Sequence, residues 1–255
     1  MKETLLKRIA LIDADFIPYY VCHNKKNEQG IVVAKTLEEC EKLADELIST
    51  ILAMTKATHY MMCFTIGKCF RYHINPYYKS NRKHEPISHL KEIKQYLIDE
   101  YEGIGDSYYE ADDIVATLKK RLGNEAFIVS PDKDILNLAG THYNAKKNEW
   151  KTTDDSEAES YFWRSMIIGD SADGIKGIPG KGPAYANKIF EEHLGVPMSA
   201  IVLQEYINHF DEYEGIAEFH KNYMCLKIID ESEQMNFELK LREVEVKEDP
   251  KLNEI

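Results

Sequence analysis

Residues 8–13, Arg8-Ile9-Ala10-Leu11-Ile12-Asp13, form a short apolar run that ends at an acidic residue. Such a run predicts a buried β-strand, with Asp13 and Asp15 at its carboxyl end. Residues 60–64 and 126–129 form two further apolar runs of similar length. These three runs are the predicted strands of one sheet.

Segments with helical spacing separate the predicted strands. A capping box of Thr36 and Glu39 begins the first helix, and helical spacing resumes over residues 87–101 and 110–122. Gly123 is a helix stop after the last of them. The alternation of strand and helix predicts an α/β fold, with a parallel sheet and helices on both of its faces.

The composition is that of a soluble globular protein of 255 residues, and no transmembrane span is predicted. The apolar run near the N-terminus is too short for a signal peptide. Five cysteines, an odd number without a C-x-x-C pair, indicate reduced thiols in the cytoplasm and argue against a zinc site. The nine histidines show no metal-ligand spacing.

The net charge of −12 conceals a local basic segment at residues 68–94. Its basic residues are Lys68, Arg71, Lys79, Arg82, Lys83, Lys91 and Lys94. If residues 77–83 are helical, Lys79 and Arg82 share a face and could hold a scissile phosphate, while Tyr78 could stack on a terminal base. The alternative is a solvated basic face with a buried tyrosine.

Acidic residues form four clusters along the chain. They are Asp13 with Asp15, Glu110 with Asp112 and Asp113, Asp132 with Asp134, and Asp170 with Asp173. Because functional groups gather at the carboxyl ends of parallel strands, we expect these clusters at one edge of the sheet. Carboxylates so close repel one another unless hard cations neutralise them, which favours two Mg²⁺ or Mn²⁺ ions for phosphodiester hydrolysis. Each cluster alone also fits helix caps or solvated charge.

Residues 166–183 combine Asp170 and Asp173 with a glycine-punctuated turn and the start of a new helix. Backbone N–H groups of such a turn can hold a phosphate. The turn is not a P-loop, because Lys181 is followed by Gly182 rather than by Ser or Thr. The alternative is an ordinary acidic loop between two helices.

A change in pattern near residue 155 divides the chain. A second capping box, Ser156 and Glu159, begins a mostly helical region. We therefore predict two domains, residues 1–160 and 161–255, with the second packed on the first.

In their order and approximate spacing, these motifs resemble the 5′-nuclease family, which includes phage 5′–3′ exonucleases, flap endonucleases and the 5′-nuclease domain of bacterial DNA polymerase I. The resemblance covers roughly residues 8–195. Its segments are Leu11-Ile12-Asp13, Phe70-Arg71 with Tyr78-Lys79-Ser80-Asn81-Arg82, Glu110-Ala111-Asp112-Asp113, Ser130-Pro131-Asp132-Lys133-Asp134, and Gly169-Asp170 with Asp173-Gly174-Ile175 and residues 177–183.

The resemblance implies a PIN-like (Rossmann-like) core with a helical arch at about 68–100, and a C-terminal helix-three-turn-helix lobe with a helix-hairpin-helix at 166–192. The implied metal ligands are Asp13, Glu110, Asp112, Asp113, Asp132, Asp134, Asp170 and Asp173. The implied catalytic residues are Lys79 and Arg82, and the implied DNA contacts are Arg71, Tyr78, Lys83, Gly177, Gly180, Lys181 and Gly182. The implied cofactors are two Mg²⁺ (or Mn²⁺) ions, and K⁺ at the helix-hairpin-helix.

Two positions depart from the family pattern. Where many members have an aspartate after the second core strand, this chain has Cys63-Phe64-Thr65-Ile66-Gly67. One metal site therefore loses a ligand, or uses Asp15 or a water molecule instead. Gly174 stands where the family has an asparagine.

The resulting hypothesis is a two-metal-ion 5′–3′ exonuclease and flap endonuclease that acts on DNA with a free 5′ end or a 5′ flap. We expect a monomer without membrane association, in the cytoplasm of a bacterium or of a phage's host, with a replication polymerase as partner. Two alternatives stay open: a structure-specific DNA-binding protein with a degenerate metal site, and a PIN-type ribonuclease.

Overall fold

The structure is a computed structural model that describes residues 7–26, 29–82, 86–230 and 241–244. The strands within these ranges are β1 (Ile9–Asp13), β2 (Lys25–Lys26), β3 (Val32–Val33), β4 (His59–Thr65), β5 (Ile104–Asp106), β6 (Ala126–Val129), β7 (Gly140–Asn144), β8 (Glu149–Thr153), β9 (Gly169–Asp170), β10 (Ile175–Lys176) and β11 (Arg242–Glu243). The helices are α1 (Phe16–Cys22), α2 (Leu37–Thr55), α3 (Arg71–Ile74), α4 (Leu90–Glu100), α5 (Ala111–Leu122), α6 (Asp155–Ile168), α7 (Pro183–Glu192), α8 (Met198–Phe210) and α9 (Glu212–Leu226).

The main sheet is parallel at its centre, in the order β4-β1-β6-β7. Strand β5 pairs in parallel with the end of β4, while β8 and β11 are antiparallel. The predicted parallel α/β sheet is therefore confirmed. The hairpin of β7 and β8 was not predicted, because its strands are largely polar and partly exposed and so lack an apolar run.

Helices cover both faces of the sheet, as predicted. Side chains of β1 alternate between the faces, so that Ala10 and Ile12 pack towards α1, α2 and α4, while Ile9 and Leu11 pack against α5. The predicted capping box begins α2, where the Thr36 hydroxyl accepts a hydrogen bond from the Glu39 N–H at 3.2 Å.

Helices α6 to α9 enclose a separate apolar cluster that includes Met166, Tyr206 and Phe219. The N-cap of α6 lies two residues earlier than predicted, because Asp154 and Glu157 form the capping pair instead of Ser156 and Glu159. Aspartate caps a helix as well as serine does, so the sequence offered two overlapping starts.

The last described residues return to the main sheet. Ile228, just beyond α9, is buried in the cluster beneath α5, and β11 pairs with β4. β11, which lies within the range predicted to form the helical domain, therefore belongs to the main sheet rather than to the cluster of α6 to α9. Among the described helices, none is long and apolar enough to cross a membrane.

Candidate active site

A cavity of about 710 Å³ opens at the carboxyl edge of the parallel sheet. Its carboxylates are Asp13, Asp15, Glu110, Asp112 and Asp132. A smaller cavity of about 220 Å³ shares Asp112 with it and adds Asp134, Asp170 and Asp173. The structure thus brings the four acidic clusters together, and of the predicted ligands only Asp113 lines neither cavity.

The ends of two neighbouring strands position the first carboxylates. Asp13 is the last residue of β1, and its carboxylate accepts a hydrogen bond from the hydroxyl of Ser130 at 3.0 Å. The same hydroxyl accepts from the N–H of Asp132 at 3.1 Å. Ser130 directly follows β6, so this one side chain fixes the spacing of both aspartates.

The start of α5 places Glu110 and Asp112 at the cavity and turns Asp113 away from it. Asp113 is fully buried, and its carboxylate accepts hydrogen bonds from both terminal nitrogens of Arg71, at 2.6 and 2.8 Å. It also accepts from the backbone N–H groups of Glu110 and Ile229. Asp113 is therefore a structural partner of Arg71 and, unlike the other predicted metal ligands, does not line either cavity.

Arg71 was expected to contact DNA, but its side chain is only 1 % exposed. Besides Asp113, it donates to the backbone carbonyls of Cys225 and Lys227, at 3.0 and 2.7 Å, and lies 3.2 Å from Glu110. Burial prevents Arg71 from reaching a nucleic-acid strand in this conformation. Instead it ties α3, α5 and the end of α9 together, and it steadies Glu110.

Tyr78 is also buried, at 2 % exposure, which agrees with the alternative of a buried tyrosine and leaves its ring out of reach of a base in this conformation. Its hydroxyl donates to Glu110 at 2.8 Å and to Asp173 at 3.0 Å. Burial, followed by the charges of these two carboxylates, raises the pKa of Tyr78 far above its usual value. The neighbouring Tyr77 is 75 % exposed instead.

Residues 77–81 form turns rather than the helix considered above, because the backbone is held by the acidic loop opposite. The Lys79 N–H donates to the carbonyl of Asp173 at 2.8 Å, and Lys79 has a left-handed φ of 55°. The Lys79 ammonium contacts Glu110, and the guanidinium of Arg82 contacts Asp173. Both cations line the large cavity, where they contact carboxylates. Lys83, the remaining predicted contact of this segment, lies outside the described residues.

The cavity carboxylates carry opposing pKa shifts. Burial and the nearby Asp15 raise the pKa of Asp13 to about 7, and burial and Asp132 raise that of Asp134 to about 6. The pKa of Asp112 is also raised, by burial and then by the adjacent acidic side chains. Although burial acts against it, Lys79 and Arg71 hold the pKa of Glu110 below its usual value. Asp13 and Asp134 therefore favour a proton or another cation more strongly than an ordinary aspartate does.

No group of three or more acidic, histidine or cysteine side chains is already arranged to hold a metal ion, within the residues that the structure describes. Two of the predicted ligands, Glu110 and Asp173, are instead occupied by Lys79, Arg82 and Tyr78.

The predicted phosphate-binding turn connects α6 to α7 through a small hairpin. Gly177 packs against the end of α6, where a Cβ would lie 2.2 Å from the carbonyl oxygen of Ile167, so no larger residue fits. Gly180 has a φ of 78° and open space around it, and Gly182 is the N-cap of α7 without a capping side chain. The Lys181 ammonium is engaged by Glu205 and Tyr185. Lys181 is therefore paired within the protein, whereas Gly180 is exposed to solvent.

Sequence reasoning missed one wall of the large cavity. This wall is α1, and its residues at the cavity are Phe16, Tyr19, Tyr20 and His23. They follow an i, i+3, i+4, i+7 spacing, so the helical period would have placed them on one face. Lys133 and Lys146 also line the cavity.

Comparison with known proteins gives three kinds of likeness. Residues 8–162 match the family model of the 5′-3′ exonuclease, N-terminal resolvase-like domain. A flap endonuclease Xni of Pseudoalteromonas translucida is 28 % identical over 213 residues, which cover 75 % of this chain and 76 % of that protein. DNA polymerase I of Bacillus caldotenax is 28 % identical over 217 residues, but this chain spans only 23 % of its length.

Among solved structures, the T5 D15 protein co-crystallised with metal ions has a TM-score of 0.65 at 19 % identity, covering 86 % of this chain and 89 % of that one. The catalytic core of Rad2 in complex with DNA has a TM-score of 0.54 at 16 % identity, covering 89 % of this chain and 76 % of that one. These likenesses confirm the PIN-like fold.

Proposed function

The chain belongs to the 5′-3′ exonuclease family whose N-terminal, resolvase-like domain it matches, and from this premise we propose that it is a divalent-metal-dependent nuclease. Its substrate is DNA with a free 5′ end or a 5′ flap, in which it hydrolyses phosphodiester bonds. The observation that carries the proposal is the meeting of four acidic clusters in two adjoining cavities, with Lys79 and Arg82 beside them. The relative named flap endonuclease supports the choice of substrate.

The residues present fit two Mg²⁺ or Mn²⁺ ions. All the donors are carboxylate oxygens, which hard divalent cations prefer, and burial together with neighbouring carboxylates raises the pKa values of Asp13 and Asp134. Asp13, Glu110, Asp112 and Asp132 would hold one ion, and Asp134, Asp170 and Asp173 the other. Bound ions supply activation of the attacking water and neutralisation of charge on the phosphate.

Asp15 supplies a carboxylate at the end of β4, where the family pattern has an aspartate that this chain lacks. Its oxygens accept hydrogen bonds from the Thr65 N–H, at 3.1 and 3.3 Å, and from the Lys94 ammonium at 2.7 Å, and it lines the large cavity. We place Asp15 in the ligand set of the first ion, since it lies at the strand end where Thr65 replaces the usual aspartate. This placement argues against a degenerate metal site.

Lys79 and Arg82 bind the scissile phosphate. An ammonium and a guanidinium can each donate several hydrogen bonds to phosphate oxygens and balance the charge that develops there during hydrolysis. Both side chains reach the large cavity. The N-terminus of α7 holds the duplex backbone further along, because its first N–H groups have no capping side chain. We further propose that K⁺ binds at this turn and that a replication polymerase is a partner of the protein.

The function is tested by incubating the full chain with a 5′-labelled flap duplex and a matched nicked duplex, with Mg²⁺ or with EDTA. We expect Mg²⁺-dependent short products from the flap, and their sizes separate exonuclease from endonuclease cleavage. Absence of cleavage with retained flap binding, and no Mg²⁺ or Mn²⁺ binding in calorimetry, would favour a structure-specific DNA-binding protein. Preferential cleavage of a matched RNA would favour a PIN-type ribonuclease.

A further inference from the structure

Protein donors already occupy the carboxylate of Glu110. One of its oxygens contacts the Lys79 ammonium, and the other accepts from the Tyr78 hydroxyl at 2.8 Å and lies 3.2 Å from Arg71. The Glu110 side chain is only 9 % exposed, so solvent does not compete for these contacts. A metal ion could use Glu110 only after Lys79, the less buried of its two cationic partners, had moved away.

Asp173 is occupied in the same way. One oxygen contacts the guanidinium of Arg82, and the other accepts from the Tyr78 hydroxyl at 3.0 Å and lies 3.7 Å from the Lys79 ammonium. Lys79 therefore stands between Glu110 and Asp173, which line the two adjoining cavities. A single segment thus blocks one ligand of each proposed ion.

Backbone contacts hold this segment in place. The carbonyl of Ser171 accepts from the Asn81 amide, and that of Asp173 accepts from the Lys79 N–H. Gly174 makes the close approach possible, because a Cβ there would lie 3.1 Å from the carbonyl oxygen of Tyr77 and 3.4 Å from the Asn81 side-chain oxygen. The glycine that departs from the family pattern is therefore matched to this docking.

We propose that residues 77–82 form a cationic clamp that competes with divalent metal ions for Glu110 and Asp173. This inference rests on the proposed function, since it concerns the same metal site. Metal binding and release of the clamp are then one event, and the released Lys79 and Arg82 become free to bind phosphate. DNA that draws the two cations away should therefore raise the affinity for metal. By thermodynamic reciprocity, bound metal raises the affinity for DNA by the same factor.

The test is a calorimetric titration of the metal-free full chain with Mg²⁺. Lys79→Met removes the cation while keeping most of the alkyl chain, and we expect Mg²⁺ to bind at least about tenfold more tightly. Lys146→Met is the matched control, because Lys146 is exposed and lines the same cavity. Equal effects of the two substitutions, or unchanged or weaker binding in Lys79→Met, would overturn the clamp.

A second variant tests the clamp without altering any charge. In Gly174→Asn the new side chain pushes against residues 77 and 81, so the clamp should undock and Mg²⁺ should bind more tightly. Gly195→Asn is its control, because Gly195 has a similar φ of 86° with nothing within 4 Å. Unchanged Mg²⁺ affinity in Gly174→Asn would contradict the inference. If wild type itself binds no Mg²⁺, the proposed function fails instead.

Discussion

The carboxylate of Asp15 accepts a hydrogen bond from the backbone N–H of Thr65, with its nearer oxygen 3.1 Å from that nitrogen. Asp15 is the N-cap residue of α1, and Thr65 is the last residue of β4. β1 ends at Asp13 and β6 is followed closely by Asp132, whereas β4, which pairs with β1 on the side away from β6, carries no acidic residue. The hydrogen bond from Thr65 therefore holds the Asp15 carboxylate at the end of β4.

The first prediction moves the carboxylate from position 15 to position 65. Asp15→Ser should weaken Mg²⁺ binding and slow flap cleavage by about tenfold or more, which corresponds to roughly 1.4 kcal/mol. The double variant Asp15→Ser with Thr65→Asp should recover most of both, because it restores a carboxylate at the end of β4. Calorimetry and single-turnover cleavage measure the two effects. Failure of the second substitution to recover Mg²⁺ affinity would remove Asp15 from the ligand set.

The second prediction concerns the buried pair of Arg71 and Asp113. Arg71→Met leaves the Asp113 carboxylate buried without its cation, so the free energy of unfolding should fall by about 3–5 kcal/mol. The double variant Arg71→Met with Asp113→Leu should recover a large part, because it removes both charges. Urea denaturation of the metal-free protein gives the values. A loss below about 1 kcal/mol in the single variant would show that the pair contributes little.

The third prediction is a pH dependence. Asp13 has a pKa of about 7 in the folded protein, whereas an aspartate in the unfolded chain has a pKa of about 4. Between these values the folded state binds more protons, so the contribution of Asp13 to stability falls as the pH rises. Without metal, the free energy of unfolding of wild type relative to Asp13→Asn should therefore decrease from pH 5 to pH 8.

The comparison with Asp13→Asn cancels the contributions to stability of titrating groups that do not interact with Asp13. Because Mg²⁺ must displace the proton, the rise in wild-type Tm on adding Mg²⁺ should grow over the same pH range. A wild-type stability that increases relative to the variant from pH 5 to pH 8 would mean that Asp13 is ionised with a basic partner.

The fourth prediction concerns the aromatic wall formed by α1. Tyr20 is 54 % exposed and lines the large cavity, where an unpaired base could stack on its ring. Stacking of one base is worth about 1–3 kcal/mol, so Tyr20→Ala should weaken flap binding by roughly 5- to 150-fold. Tyr213→Ala is the control, because Tyr213 is 88 % exposed on α9. Equal losses in anisotropy titrations of both variants would exclude a specific contact.

The sequence was sufficient for β1, β4 and β6 of the parallel sheet and for the acidic edge. The apolar run before Asp13 and the run before Ser130 are local signals, and parallel pairing then brings their ends together without further information. Strand β8 could not be predicted in the same way. Its residues are polar, and it is held by pairing with β7 rather than by an apolar face of its own.

The contacts of the basic segment could not be predicted, because they are long-range. Arg71 and Tyr78 are polar residues in a basic segment, and the local pattern does not decide whether they are buried. Their burial depends on Asp113 and Glu110, more than thirty residues away in the chain, and on the end of α9. The contact between Lys79 and Glu110 could not be predicted for the same reason, since nothing local reveals a carboxylate 31 residues away in the chain.

The most direct measurement compares wild type and Asp112→Asn on one 5′-labelled flap duplex with Mg²⁺. Asp112 lines both cavities, so its loss should disturb both proposed ions while leaving the turn before α7 unchanged. Cleavage should fall by at least about a hundredfold, or roughly 2.7 kcal/mol, while duplex affinity stays within a few-fold of wild type. A variant that cuts the flap as fast as wild type would contradict the assignment of these carboxylates to a metal-dependent nuclease site.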